Sequence, residues 1–138
     1  MRKLLAAILL FVAGSVADNL MTYWLVVARG VYSEANPFVA PFIYSQPLYM
    51  WFVRDFAFLA LIIAASLGYK QLMLYLSRND PPSKRARINR IASRYWIIVL
   101  TVATIRLLPA IHNVLVVATG YESPLSQFPT YMSKFLGR

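Results

Sequence analysis

The residues able to do chemistry in this chain stand inside long apolar runs. Asp18 interrupts LLAAILLFVAGSVADNLMTYWLVVA, Arg54 and Asp55 follow LYMWFV, and Arg106, His112 and Asn113 break WIIVLTVATIRLLPAIHNVLVVAT. A charged side chain at the centre of a hydrocarbon layer costs about 2.5–3.5 kcal/mol on insertion scales, so such residues pair or line a polar cavity. Their formal charges cancel, Asp18 and Asp55 against Arg54 and Arg106. Asp18 and Thr22 are four residues apart, on one face of a helix. Arg106, Pro109 and Asn113 share a face at i, i+3 and i+7, and Pro109 frees the carbonyl of Ile105. This spacing predicts a central pair between Asp18 and Arg106, with Asp55 and His112 beside it. The alternative pairs Asp55 with Arg106 and lets Arg54 reach the outer headgroups. Glu34 and Asn36, in the following loop, are placed to cap the cluster.

Two readings of such a cluster stand side by side. A neutral ion pair in a bundle can serve only to fix helix register. The same groups can form a polar site for an ion, a proton or a small polar molecule. Asp18, Asp55, Glu34 and His112 would offer a metal an oxygen-rich set with one imidazole. No ligand spacing such as HExxH supports that, and His112 alone reads first as a hydrogen-bonded or interfacial histidine. No metal or other cofactor is expected.

The elements that position these residues follow from composition. Of 138 residues, 59% are hydrophobic and 14% charged, against about 45–50% and about 25% in soluble domains. A soluble chain of this length could not bury so much apolar surface, and disorder requires low hydrophobicity. The class is an all-α integral membrane protein. The chain has no cysteine and one histidine, which excludes disulfides, thiol nucleophiles, iron–sulfur clusters and bis-histidine haem within one chain.

Apolar stretches at 4–28, 48–76 and 96–119 each exceed the roughly 20 residues a helix needs to cross a bilayer, and none alternates like a barrel strand. The 138 residues are therefore one transmembrane domain of three spans. The formal charge of +9 is concentrated: six of the fourteen Lys and Arg lie between Arg78 and Arg94, and Arg2 and Lys3 precede the first span. Basic residues in short loops mark the cytoplasmic side, so a nucleic-acid partner is not expected. The amino terminus and loop 77–95 are placed in the cytoplasm, loop 29–47 and tail 120–138 outside. Trp24, Tyr32, Tyr44, Tyr49, Trp51, Tyr121 and Tyr131 would form an outer aromatic belt, and Tyr75, Tyr95 and Trp96 an inner one. The opening RKLLAAILLFVAGSVA also has the parts of a signal peptide cleaved after Ala17. Its apolar run continues well past Asp18, and a span is the preferred reading.

Two loops carry helix signals of their own. Asp80-Pro81-Pro82-Ser83 stops the second span and offers Ser83 as an N-cap. Ile88, Ile91, Ala92 and Tyr95 then recur at helical spacing, opposite Arg87, Arg90 and Arg94. Together with Lys84 and Arg85, these cations make a short basic amphipathic helix suited to anionic lipid headgroups, or simply a solvated loop. In the outer loop, Asn36-Pro37 reads as an N-cap and first helical residue, while Pro41 and Pro47 keep that helix short. Small residues at Ala6-Ala7, Ala13-Gly14, Ala17 and Ala64-Ala65-Ser66-Gly68 permit close helix contact.

Asp18-x3-Thr22, Gly30 and Glu34-x-Asn36-Pro37 resemble the signature of a domain-of-unknown-function family of small prokaryotic integral membrane proteins. The resemblance covers about the first forty residues. It implies that Asp18, Thr22, Glu34, Asn36 and Pro37 act as a unit, and it implies no reaction.

Three functions follow as expectations. The first is a non-enzymatic cell-membrane component: an oligomeric transporter of ions, protons or small solutes, or an accessory subunit of a larger complex. The second is an intramembrane enzyme or metal-binding protein using Asp18, Asp55 or His112. The third is a lipid-interacting protein working through the basic 83–95 stretch. The partners expected are the bilayer, its anionic headgroups, and copies of the chain or other membrane subunits.

Overall fold

The computed structural model describes residues 2–30, 34 and 39–120, and all regular structure among them is helical. Helix α1 (Arg2–Thr22) continues into a π-helical segment (Tyr23–Ala28); α2 (Ala40–Ser45), α3 (Leu48–Leu76), α4 (Pro82–Ala92) and α5 (Trp96–Thr119) follow. The stretches Arg2–Ala28, Leu48–Leu76 and Pro82–Thr119 each hold helix long and apolar enough to cross a membrane. The third is α4 and α5 joined by a short turn. At about 1.5 Å per residue, the 24 residues of α5 alone cover about 36 Å.

Contacts between the helices fix their directions. Lys3 meets Trp96, Asp18 meets Arg106 and Thr22 meets Asn113, so α1 and α5 run parallel. Against them α3 is antiparallel: its Trp51 packs on Tyr23, Asp55 bonds Ser15, and Lys70 lies over Tyr95. The α1–α5 interface is the most extensive, and small side chains make it so. Ala7 and Gly14 are buried on α1, Ala103 and Ala110 on α5. A Cβ on Gly14 would stand 3.1 Å from Leu107 Cδ2 and 3.3 Å from the Arg106 carbonyl oxygen. Ala6 and Ala13 face outward instead.

The bundle is layered along its axis. At the end where α1 and α5 begin, Lys3 lies 5.2 Å from the Trp96 ring centroid and Lys70 lies 5.1 Å from that of Tyr95. Above them Ala7, Phe11, Leu59, Val99 and Ala103 form the apolar core. Polar side chains of all three spans come next, at Ser15 to Thr22, Asp55 and Arg106 to Asn113. The aromatic pair Tyr23 and Trp51 closes the stack, edge to face at 6.2 Å. Trp51 is only 1% exposed, and its indole N–H donates to the Gln46 carbonyl at 3.1 Å. It plugs the bundle and does not join an outward-facing belt: the ring finds Tyr23 on one side and a polar acceptor at its rim. Trp24, Tyr44, Tyr49 and Tyr75 are exposed, and Tyr95 and Trp96 are half-buried. Tyr32, Tyr121 and Tyr131 lie outside the described residues.

Proline and glycine set the helix ends. Pro47, with φ −66 and ψ 153, brings the chain into α3 from extended backbone. Pro81, not Ser83, is the N-cap of α4: its carbonyl accepts the first helical bond from the Arg85 amide at 2.9 Å, and Pro82 at the first helical position has no amide to leave unpaired. At the far end of α5, Gly120 adopts φ 67 and donates its amide to Val116 at 2.8 Å. Helix α2, in the loop between the first two apolar helices, begins at Ala40 with Pro41 in its first turn; Asn36 and Pro37 lie outside the described residues. The structure continues α5 through Pro109 without a break.

Gly14→Ala should destabilise the folded protein by about 1–2 kcal/mol, since Leu107 and the Arg106 backbone must yield. Gly68→Ala, where nothing lies within 4 Å, should be neutral or stabilise by up to about 1 kcal/mol. Reversible unfolding in mixed micelles, followed by circular dichroism, measures both.

Candidate functional site

Arg106 is where the three spans meet. Its Nη1 donates to Asp18 Oδ2 at 2.5 Å and its Nη2 to Asp55 Oδ2 at 2.6 Å. One planar guanidinium thus bridges carboxylates from α1 and α3, a separate nitrogen of its fixed fork serving each. Both pairings anticipated for this arginine exist at once.

Neighbouring side chains bond the same carboxylates. Asp55 Oδ2 also accepts from Ser15 Oγ at 2.6 Å and Asn19 Nδ2 at 3.0 Å. Asp55 Oδ1 takes Arg54 Nε and Nη2 at 3.3 and 3.2 Å. Asp18 Oδ1 accepts from Asn113 Nδ2 at 2.9 Å, and the same amide donates to Thr22 Oγ1 at 3.2 Å. Asn19 Oδ1 accepts a further bond from Arg106 at 3.3 Å. Among the described residues, no buried side-chain nitrogen or oxygen lacks a partner.

Burial falls off across the cluster. Ser15 is fully buried, Asn19 and Asp55 nearly so. The side chains of Asp18 and Arg106 are 13% and 18% exposed, and that of Arg54 is 39% exposed. The Arg54 guanidinium lies 4.9 Å from the Phe42 ring centroid, so α2 covers one flank of this cation. The cluster is a continuous hydrogen-bonded chain from the surface at Arg54 to Asn113 on α5.

Ser15 and Asn19 are members that sequence reasoning did not single out. The signal was present: residues 15, 18, 19 and 22 recur at i, i+3, i+4 and i+7, one helix face. His112 is half-buried; it is Asn113, about 100° further round α5, that reaches Asp18 and Thr22. Glu34 donates its backbone amide to the Tyr44 hydroxyl at 3.3 Å, and Asn36 lies outside the described residues. Among the described residues, no three His, Asp or Glu side chains stand close enough to share a metal ion. The guanidinium already occupies the space between the two aspartates.

No family model matches the sequence, and no curated protein or solved structure was found to match it. The site must be read from its own chemistry.

The basic helix divides in two. Lys84 pairs with Asp80 at 2.8 Å, and Arg85 donates to the carbonyls of Arg78 and Asp80. Both are turned back onto the chain, closing the turn after α3. Arg87, Arg90 and Arg94 are exposed, Ala92 is buried, Ile88 and Tyr95 are half-buried, and Ile91 is exposed.

Removing one partner of a buried charge pair strands the other at a cost of about 3–5 kcal/mol. Arg106→Gln, which strands two carboxylates, should lose at least as much as Asp18→Asn. The double variant should fall short of additivity by about 1–3 kcal/mol. Arg106→Lys should fall between the unmodified protein and Arg106→Gln, because it keeps the charge opposite the two carboxylates and loses the planar fork. Unfolding free energies of the three single variants and the double variant in micelles check this.

Proposed function

We propose that this protein is a non-enzymatic, multi-pass component of the cell membrane that handles protons or small polar solutes at the Asp18–Arg106–Asp55 cluster, working as an oligomer. The observation that carries this reading is the charged chain itself. Arg106 with Asp18 and Asp55 supplies one charged group from each span, and the network goes further, through Asp55 to the half-exposed guanidinium of Arg54. Ionisable chains inside a membrane mark ion and proton pathways. An oligomer is supported by the little that the bundle covers of itself: 28%, 22% and 17% of the three apolar windows are buried. Ala60, Ala64 and Gly68 also present small outward positions along α3 that suit close helix packing.

Catalysis at Asp55 is disfavoured by its saturation, since its two oxygens already accept five bonds, whereas Asp18 accepts one bond on each oxygen and keeps capacity for a proton. In this proposal the amino terminus and loop 77–95 face the cytoplasm, and loop 29–47 and tail 120–138 face outward, following the positive charge. The signature Asp18, Thr22, Gly30 and Glu34 then sits in the outer half, with Asp18 and Thr22 joined through Asn113.

A second reading rests on the same saturation. A complete network suits a rigid clamp that sets three helices while their outer faces meet foreign subunits. Mass analysis in native-like lipid separates the two, because a discrete homo-oligomer favours transport and co-purifying foreign chains favour the accessory role.

Reconstituted into vesicles with a trapped pH-sensitive dye, the protein should dissipate a proton gradient faster than empty vesicles. Asp18→Asn, still folded by circular dichroism, should reduce that rate about tenfold or more. Rates for the unmodified protein equal to those of empty vesicles overturn the proton reading. Orientation has a direct check because the chain lacks cysteine. Ser45→Cys should react with an impermeant maleimide in intact cells, and Asn79→Cys only after permeabilisation.

A further inference from the structure

A second polar feature lies at the opposite end of the bundle, where α1 and α5 begin. Lys3 and Leu4 of α1, Ser93, Arg94 and Tyr95 of the α4–α5 turn, and Trp96 and Ile97 of α5 line a cleft of about 530 Å³. That is within the range of about 300–1,000 Å³ typical of ligand pockets. We infer that this cleft binds the phosphate of an anionic phospholipid headgroup.

Charge, donors and walls all point to that ligand. Nine of the fourteen Lys and Arg belong to this end, at 2, 3, 70, 78, 84, 85, 87, 90 and 94, against one carboxylate, Asp80. Asp80 is already taken by Lys84. Among the described residues, neither Lys3 nor Arg94 has a carboxylate partner. Lys3 is held instead over the Trp96 ring, which places a cation at the cleft without neutralising it. The Ser93 hydroxyl donates to the Arg90 carbonyl at 2.8 Å, so it is a wall rather than a donor.

The apolar lining distinguishes a lipid from a soluble anion. Leu4 and Ile97 flank the cations, and the helices leaving the cleft carry exposed Leu5, Leu9 and Ile98, a surface for acyl chains. The cleft stands at the start of two apolar spans, the depth of headgroups in a bilayer, with Trp96 as an interfacial ring. This inference rests on the spans crossing a membrane and not on transport at the Asp18 cluster, so either can fail alone. It also narrows the headgroup residues anticipated from sequence: Arg94 joins Lys3, while Lys84 and Arg85 serve the turn.

The test is native mass spectrometry of the full chain in nonionic detergent, titrated with phosphatidylglycerol, phosphatidylcholine or inorganic phosphate. Phosphatidylglycerol should bind as a discrete adduct. Removing both cations in K3Q/R94Q should weaken that adduct about tenfold or more, while R87Q/R90Q, with the same charge change outside the cleft, should leave it within about threefold. Equal weakening in both double variants would show only the general positive field and overturns the site. Equal binding of phosphatidylcholine, or of inorganic phosphate at the same concentration, overturns the anionic lipid as its ligand. Circular dichroism of both variants confirms that surface substitutions leave the helices intact.

Discussion

One guanidinium shared between two carboxylates determines how the three spans are arranged. Leu and lipid tails are equally apolar, so burying an oily face against another helix gains little inside a membrane. The apolar faces of α1, α3 and α5 could therefore pack in many rotations of similar energy. Arg106 removes that freedom. Its two ends reach Asp18 and Asp55, and moving any helix by one residue turns its charge by about 100° away from the others. Register, rotation and proximity are set together by groups that hydrocarbon does not tolerate unpaired.

Packing is built to let that interaction form. Gly14 brings the α1 backbone against the carbonyl of Arg106 itself, so the closest helix approach and the ion pair occur at one level. The apolar core lies on one side of this level, and the Tyr23–Trp51 pair on the other. Between them Ser15, Asn19 and Asp55 are buried, and burial strengthens their hydrogen bonds. Arg54 alone continues to the surface, held over Phe42.

Much of this was legible in the sequence, and the reasons differ by element. The span limits at 28, 48, 76, 96 and 119 match the helix ends because hydropathy and length set them directly; only the first helix starts earlier, at Arg2. Asp18, Asp55 and Arg106 announced themselves by being charged in oil. Ser15 and Asn19 did not, because they carry no charge and only the face they share with Asp18 distinguishes them. Trp51 was misplaced, since tryptophan near a span end fits both a lipid interface and a bundle plug, and only the partner decides. The π-helical segment after Thr22 had no signal in residue type. Lys84 and Arg85 read as part of a uniform basic face, whereas the unpaired carbonyls and carboxylate of the preceding turn claimed them.

The order in which the cluster's members occur along the chain has a consequence for biogenesis. Asp55 is 51 residues ahead of Arg106 and Asp18 is 88 residues ahead. The hairpin of α1 and α3 can already satisfy Asp55 through Ser15, Asn19 and Arg54. Both side chains that bond the Asp18 carboxylate, Arg106 and Asn113, arrive only with α5. Until the last helix is made, the Asp18 carboxylate of the α1–α3 hairpin therefore lacks both of these partners.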